Sequence, residues 1–132
     1  MNKRELKEKC MLEMLEDNVV SVEMMLNRLK QIEQKKGIFD ESILIHDTMK
    51  TTLDLELSLA TLCILMRKMV ENQYIVISQE LRNDMNSIIH SNRFEYDQDD
   101  VIVYSQHGRE NVDLKGLLSF CRSVLLSDKV LR

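Results

Sequence analysis

Proline and tryptophan are both absent from the 132 residues, and only three glycines occur. Proline interrupts a helix by removing a backbone donor and crowding the preceding turn, so a chain without it can run long helices unbroken. Aromatic residues are scarce, 5% of the chain against 44% for the apolar set, while methionine occurs nine times, so the core is aliphatic. Such a balance favours an all-α fold. The three cysteines, Cys10, Cys63 and Cys121, are odd in number and far apart. Each falls in an apolar helical stretch and reads as a buried reduced thiol, which implies a cytoplasmic setting rather than a disulfide framework.

Long hydrophobic runs are missing as well. The longest, residues 57–66, contains Ser58 and Thr61 and falls far short of the ~20 residues that cross a bilayer, so no membrane association is expected. The first nine residues are charged and no long apolar segment follows them, so no secretory signal is expected. Positive charge is not in excess: 18 Lys and Arg stand against 22 Asp and Glu, a net charge of −4. The chain therefore has no global attraction for a phosphate backbone, and any nucleic-acid contact must be local. Cys-x-x-Cys, His-Glu-x-x-His, Walker and Gly-x-Ser-x-Gly elements are all lacking. That removes the usual signatures of zinc hydrolases, P-loop NTPases and serine hydrolases, and nothing in the sequence calls for a metal or a cofactor.

What is present is helical periodicity on the scale of one domain. From residue 3 to about 36, Leu12, Leu15, Val19, Val22, Leu26 and Leu29 recur at spacings of three and four, opposite Glu13, Glu16, Glu23, Asn27 and Lys30. Gly37 follows Lys35 and Lys36 as the expected stop. The stripe also suits a coiled coil, but only about three heptads are sustained, so packing within the chain is the expectation. A second helix is expected over about 40–71 with Asp40 as its N-cap. Met49, Leu53, Leu57, Ala60 and Ile64 share one face while Leu59, Leu62, Leu65 and Met69 make the other sides apolar, which reads as a central helix.

A third helix is expected over about 75–91, since Ile77, Leu81, Met85 and Ile88 keep helical spacing. After Arg93 the period changes to two: Phe94 and Tyr96, then Val101 to Tyr104, flank a polar turn and predict a β-hairpin over about 94–105. Residues 106–111 read as a loop around Gly108, and Asn111 or Asp113 caps a last helix over about 113–127, with Leu114, Leu117, Cys121 and Val124 inward. The whole is a single helical domain, a four-helix bundle (five helices at most) with a short β-hairpin or extended segment before the last helix.

One polar constellation stands out. Arg82, Asn86 and His90 fall at i, i+4 and i+8 and so run along one side of the third helix. Arginine neutralises phosphate charge, histidine moves protons near neutral pH, and an amide orients either group, a set suited to metal-free phosphodiester cleavage. The plainer reading is a solvated helix face with a histidine near the negative end of the dipole. The neighbouring His46 and Asp47 lack a third partner in sequence, and His107 lies beside Gly108 and Arg109, so both histidines read as surface residues. Lys3, Arg4, Lys7 and Lys9 crowd the start of the first helix, and Arg67, Lys68, Arg82 and Arg93 are expected near the third, either as a local basic patch or as solubilising charge.

The stretch Leu81-Arg82-Asn83-Asp84-Met85-Asn86-Ser87-Ile88-Ile89-His90-Ser91-Asn92, followed by Phe94-Glu95-Tyr96-Asp97 and the segment from Val101 to Tyr104, resembles the C-terminal half of HEPN-domain proteins. Those are small helical bundles with an arginine, a polar residue and then a histidine on a late helix. Setting Asn86 on the family's polar position puts Met85 where its arginine belongs. Setting Arg82-Asn83 there instead separates Arg82 from His90 by seven residues. The resemblance implies a metal-independent endoribonuclease, or a degenerate RNA-binding relative, in a prokaryotic or phage conflict system such as toxin–antitoxin or abortive infection. His90 would be the acid/base, Arg82 the phosphate ligand and Asn86 the orienting group. It also implies a homodimer that shares the cleft between two late helices, and RNA, an antitoxin or a nucleotidyltransferase as partners. The alternative from the residues themselves is a non-catalytic dimeric helical protein-interaction module, for which Met85, the acidic balance and the heptad-like first helix speak.

Overall fold

The computed structural model describes every residue except Gln98, Asp99, His107 and Arg132, and leaves aside the side chains of Asp97 and of residues 128–131. Of the described residues 72% are helical, in four helices, with a small three-stranded antiparallel sheet. Helix α1 (Lys3–Gln34) begins at Asn2, whose side chain accepts a hydrogen bond from the Glu5 N–H at 2.8 Å and donates one to the Glu5 carboxylate at 3.1 Å. The first of these bonds satisfies a backbone donor that a helix start otherwise leaves open, and the second holds the two side chains together. Gly37, at φ 84°, turns the chain in the left-handed region where glycine carries no steric penalty.

Helix α2 (Glu41–Glu71) starts at Asp40, which accepts from the Ser42 N–H at 2.8 Å and the Ser42 hydroxyl at 2.6 Å. Those bonds favour the carboxylate and hold its pKa below the ordinary range. α1 and α2 form a long antiparallel hairpin whose open end is tied shut by Arg4. Its guanidinium donates to the Asn72 carbonyl at 3.0 Å and lies 5.2 Å from the centre of the Tyr74 ring, while the Tyr74 hydroxyl donates to the Arg4 carbonyl at 3.2 Å.

The third helix is shorter than its periodicity suggests: α3 spans Gln79–Ile89. Ser78, in extended conformation, accepts from the Leu81 N–H at 3.1 Å and sets the start. Residues 75–77 instead belong to neither helix nor strand and follow the corner at Gln73 (φ 65°), with Ile75 buried and Val76 89% exposed. Beyond α3 the expected hairpin is the first part of a meander of β1 (Arg93–Asp97), β2 (Asp100–Ser105) and β3 (Gly108–Val112), in that order. Residues 108–112 are therefore a strand and not part of a loop. It is a polar edge strand, exposed except at Val112, so it carries none of the alternation by which a half-buried strand is recognised. Phe94 pairs with Val103 and Val101 with Val112, and these four side chains enter the core.

Helix α4 (Leu114–Leu131) is capped by Asp113, which accepts from the Gly116 N–H at 2.9 Å. Its Arg122 pairs with Glu23 of α1. The main apolar cluster gathers side chains from all four helices and the sheet, among them Leu15, Val22, Leu59, Met66, Ile88, Val101 and Leu117. Two expectations about it need correction. α2 is not central: Leu55, Leu59, Leu62, Met66 and Met69 are at most 1% exposed, but Met49 is 62%, Leu53 56% and Leu57 70% exposed. Nor are all three cysteines buried, because Cys10 sits on the outer side of α1 while Cys63 and Cys121 are enclosed. Among the described residues no helix is long and apolar enough to cross a membrane.

Candidate functional site

α3 is strongly two-sided. Met85 and Ile88 are 2% and 1% exposed and anchor it to the core, whereas Arg82, Asn86 and His90 are all exposed. The four-residue spacing turns each of these about 40° from the last, so they form a slanting row whose ends lie about 12 Å apart along the axis. Of the two registers weighed from the sequence, the one that needs a cation at position 85 would put that cation in the core. The one that uses Arg82 leaves both Arg82 and His90 on the surface.

Asn86 and His90 wall an open cleft of about 520 Å³ between the C-terminal end of α3 and the β2–β3 turn. Ser87, Asn92, Ser105, Gln106 and Glu110 complete the wall, and Arg82 is not part of it. His90 is the residue at which α3 ends, its N–H bonded to the Asn86 carbonyl at 3.0 Å. It thus stands where the orphan carbonyls of a helix end favour a cation. The sheet is joined to this end at two points: the Asn92 N–H donates to the Tyr104 carbonyl at 2.7 Å, and the Ser87 hydroxyl donates to the Glu110 carboxylate.

The surroundings are acidic on the β3 side. Burial, and then the charges of Asp113 and Glu80, raise the Asp84 carboxyl above its usual range, against the pull of a hydrogen bond from the Asp113 backbone; Glu110 adds to the rise. The arginines and lysines expected near α3 are engaged elsewhere or stand alone. Arg93 lies 4.2 Å from the centre of the Tyr104 ring, whose hydroxyl donates to Glu95 at 3.1 Å. Arg67 meets Glu71 at 4.0 Å within α2. Lys7, at the other end of the expected basic set, donates to the Asn72 side chain at 3.2 Å.

His46 and Asp47 approach to 3.7 Å on the exposed start of α2, and His107 lies outside the described residues. Among the described residues no three His, Cys, Asp or Glu side chains are grouped to hold a metal ion. The cleft residues that periodicity could not supply are Ser105, Gln106 and Glu110, because they reach His90 through strand pairing and not along one helix. No family model matches the chain, and no curated protein or solved structure matches it either.

Proposed function

We propose that this chain is a HEPN-like domain that binds RNA and cleaves it without a metal, as an effector in a prokaryotic or phage conflict system of the toxin–antitoxin or abortive-infection kind. The observation that supports the reading is the sidedness of α3: Arg82, Asn86 and His90 share the solvent side, with Asn86 and His90 in the wall of a cleft, while Met85 points the other way. In the proposed reaction the neutral His90 imidazole takes the proton of a ribose 2′-hydroxyl, whose oxygen attacks the adjacent phosphorus. The bond to the 5′-oxygen breaks, and that oxygen receives a proton from imidazolium, leaving a 2′,3′-cyclic phosphate and a free 5′-hydroxyl. Asn86, one helical turn away, orients the phosphate or the imidazole.

Arg82 stands outside the cleft of a single copy, so the proposal assigns the neutralisation of phosphate charge to a guanidinium that reaches in from one turn beyond Asn86 or from the α3 of a second copy. Cytoplasmic RNA is the substrate class, and an antitoxin or a nucleotidyltransferase is the expected protein partner. The test is incubation of the purified chain with structured and unstructured RNA in EDTA, beside His90→Ala and Arg82→Ala. The expected result is cleavage to cyclic-phosphate ends by the parent chain, lost in His90→Ala and reduced in Arg82→Ala. Equal cleavage in all three removes His90 and Arg82 from the reaction.

The acidic rim favours a second reading. Glu110 is the charged acid in the cleft wall, and Asp84, on the same helix as His90, has Asp113, Glu80 and Glu110 as neighbours; this balance disfavours phosphate, and a non-catalytic dimeric helical module that binds a protein partner fits such a surface. Absence of both RNA binding and cleavage by the parent chain selects this reading.

A further inference from the structure

α2 is apolar on both of its long sides. The side away from the core carries Ile45 (59% exposed), Met49, Leu53, Leu57 and Ile64 (38%), with Ala60 between the last two. At 100° per residue these fall within an arc of about 120°. A helix with apolar residues all round is ordinarily covered all round, and a contiguous exposed patch of this kind marks an interaction surface. Among the described residues nothing covers it.

We infer that the outer face of α2 binds a second copy of the chain, the two α2 helices lying antiparallel about a twofold axis that passes between Leu53 and Leu57. Two features argue for a copy of the same chain. The stripe is self-complementary when reversed on itself: Leu53 meets Leu57, Met49 meets Ala60 and Thr61, and Ile45 meets Ile64, as a twofold interface requires. The charges at its ends are complementary in the same alignment. Asp40, Glu41 and Asp47 stand at the start of α2, while near its end Arg67 and Lys68 outnumber Glu71, which meets Arg67, so reversal sets a net acidic end against a net basic one, where parallel alignment would set like against like. Lys50, beside the stripe, falls opposite Ala60 with space to extend its ammonium to water.

The interface does not rest on the α3 site or on any activity there. Sedimentation of the full chain at tens of micromolar is expected to give a dimer, and Leu53→Glu with Leu57→Glu a monomer of unchanged helical circular dichroism, because both positions are exposed within one copy. Arg67→Glu with Lys68→Glu weakens the dimer, and adding Glu41→Lys with Asp47→Lys restores it. Spin labels at a His46→Cys position, in a Cys10→Ser background, are expected about 27 Å apart along the helix axes when antiparallel, against about 10 Å when parallel. A parent chain that sediments as a monomer, a dimer that survives the two glutamates, or labels at the short distance overturns the inference. Cleavage assays on His90→Ala read the α3 site separately.

Discussion

Substituting arginine for Met85 separates the two registers of the α3 motif by their consequences for folding. Met85 is 2% exposed and belongs to the main apolar cluster with Ile88, Leu62 and Leu114. The change withdraws a buried apolar side chain, a loss of about 1.5–3 kcal/mol. It also leaves a guanidinium unpaired among aliphatic groups, which costs about 3–5 kcal/mol more. The sum, about 4.5–8 kcal/mol, is comparable with the entire stability of a small domain, about 5–15 kcal/mol. Met85→Arg is therefore expected to be unfolded, or compact without fixed packing, whereas Met85→Leu stays within about 1.5 kcal/mol of the parent and the exposed Arg82→Ala within about 0.5 kcal/mol. Urea titration followed by far-ultraviolet circular dichroism measures all three. A folded Met85→Arg with a midpoint near that of the parent refutes the reasoning, since it means that position 85 opens to solvent and can serve as the motif's cation.

Asp84 gives a pH dependence of definite sign. Its carboxyl is raised in the folded chain, chiefly by burial and then by Asp113 and Glu80, so the folded state holds its proton more tightly than the unfolded state does. Stability is present in full below the ordinary carboxyl value of 3.8 and falls as pH rises through the raised folded value. Asp84→Asn, which still accepts from the Asp113 N–H, is expected to melt higher than the parent at pH 7 and level with it near pH 3.5; an equal gain at both pH values contradicts the assignment. The thiols supply an independent check of burial. Cys10 is exposed, while burial pushes Cys63 up and Cys121 up to about 12, so a disulfide reagent at pH 8 is expected to modify one thiol quickly and the other two only on unfolding.

The helices were legible because their apolar residues recur at helical spacing and their ends carry recognisable caps: Asp40 before α2, Gly37 after α1, Asp113 before α4. The pattern failed where a local signal was ambiguous or empty. Ile77 keeps helical phase with Leu81, but Ser78 caps the helix behind it and residues 75–77 lie outside any helix. Strand β3 holds its place by pairing with β2, and a Gly-Arg-Glu-Asn sequence with four exposed residues carries no trace of that pairing. The double-sided apolar character of α2 was plain in sequence, yet its position was misread. Periodicity tells which sides of a helix avoid water and not whether the chain has enough other elements to cover them. The candidate site divides along the same line: Arg82, Asn86 and His90 follow from the turn of one helix, while Ser105, Gln106 and Glu110 arrive from distant strands.

The same division bears on how the site is held. α3 has only 11 residues, fewer than the roughly 12–15 at which an isolated helix becomes even marginally stable in water, so its shape is imposed by what it packs against. Restraints that do this include the Ser78 cap at its start, Met85 and Ile88 buried along its inner side with Asp84 accepting from the Asp113 N–H, and the Ser87–Glu110 hydrogen bond that joins its last turn to β3. The first two fix where the helix lies, and both act before or beneath the final turn. The third, with the Asn92–Tyr104 backbone bond just beyond it, joins the helix end directly to the sheet by hydrogen bonds, and so bears on where His90 stands in the cleft. The carboxylate that makes the cleft acidic is thus also the one that positions its histidine. Neutralising Glu110 to draw in a phosphate would loosen the position of His90, so in the proposed reaction an anion bound here has to take its compensating cation from outside the wall, which is where Arg82 sits.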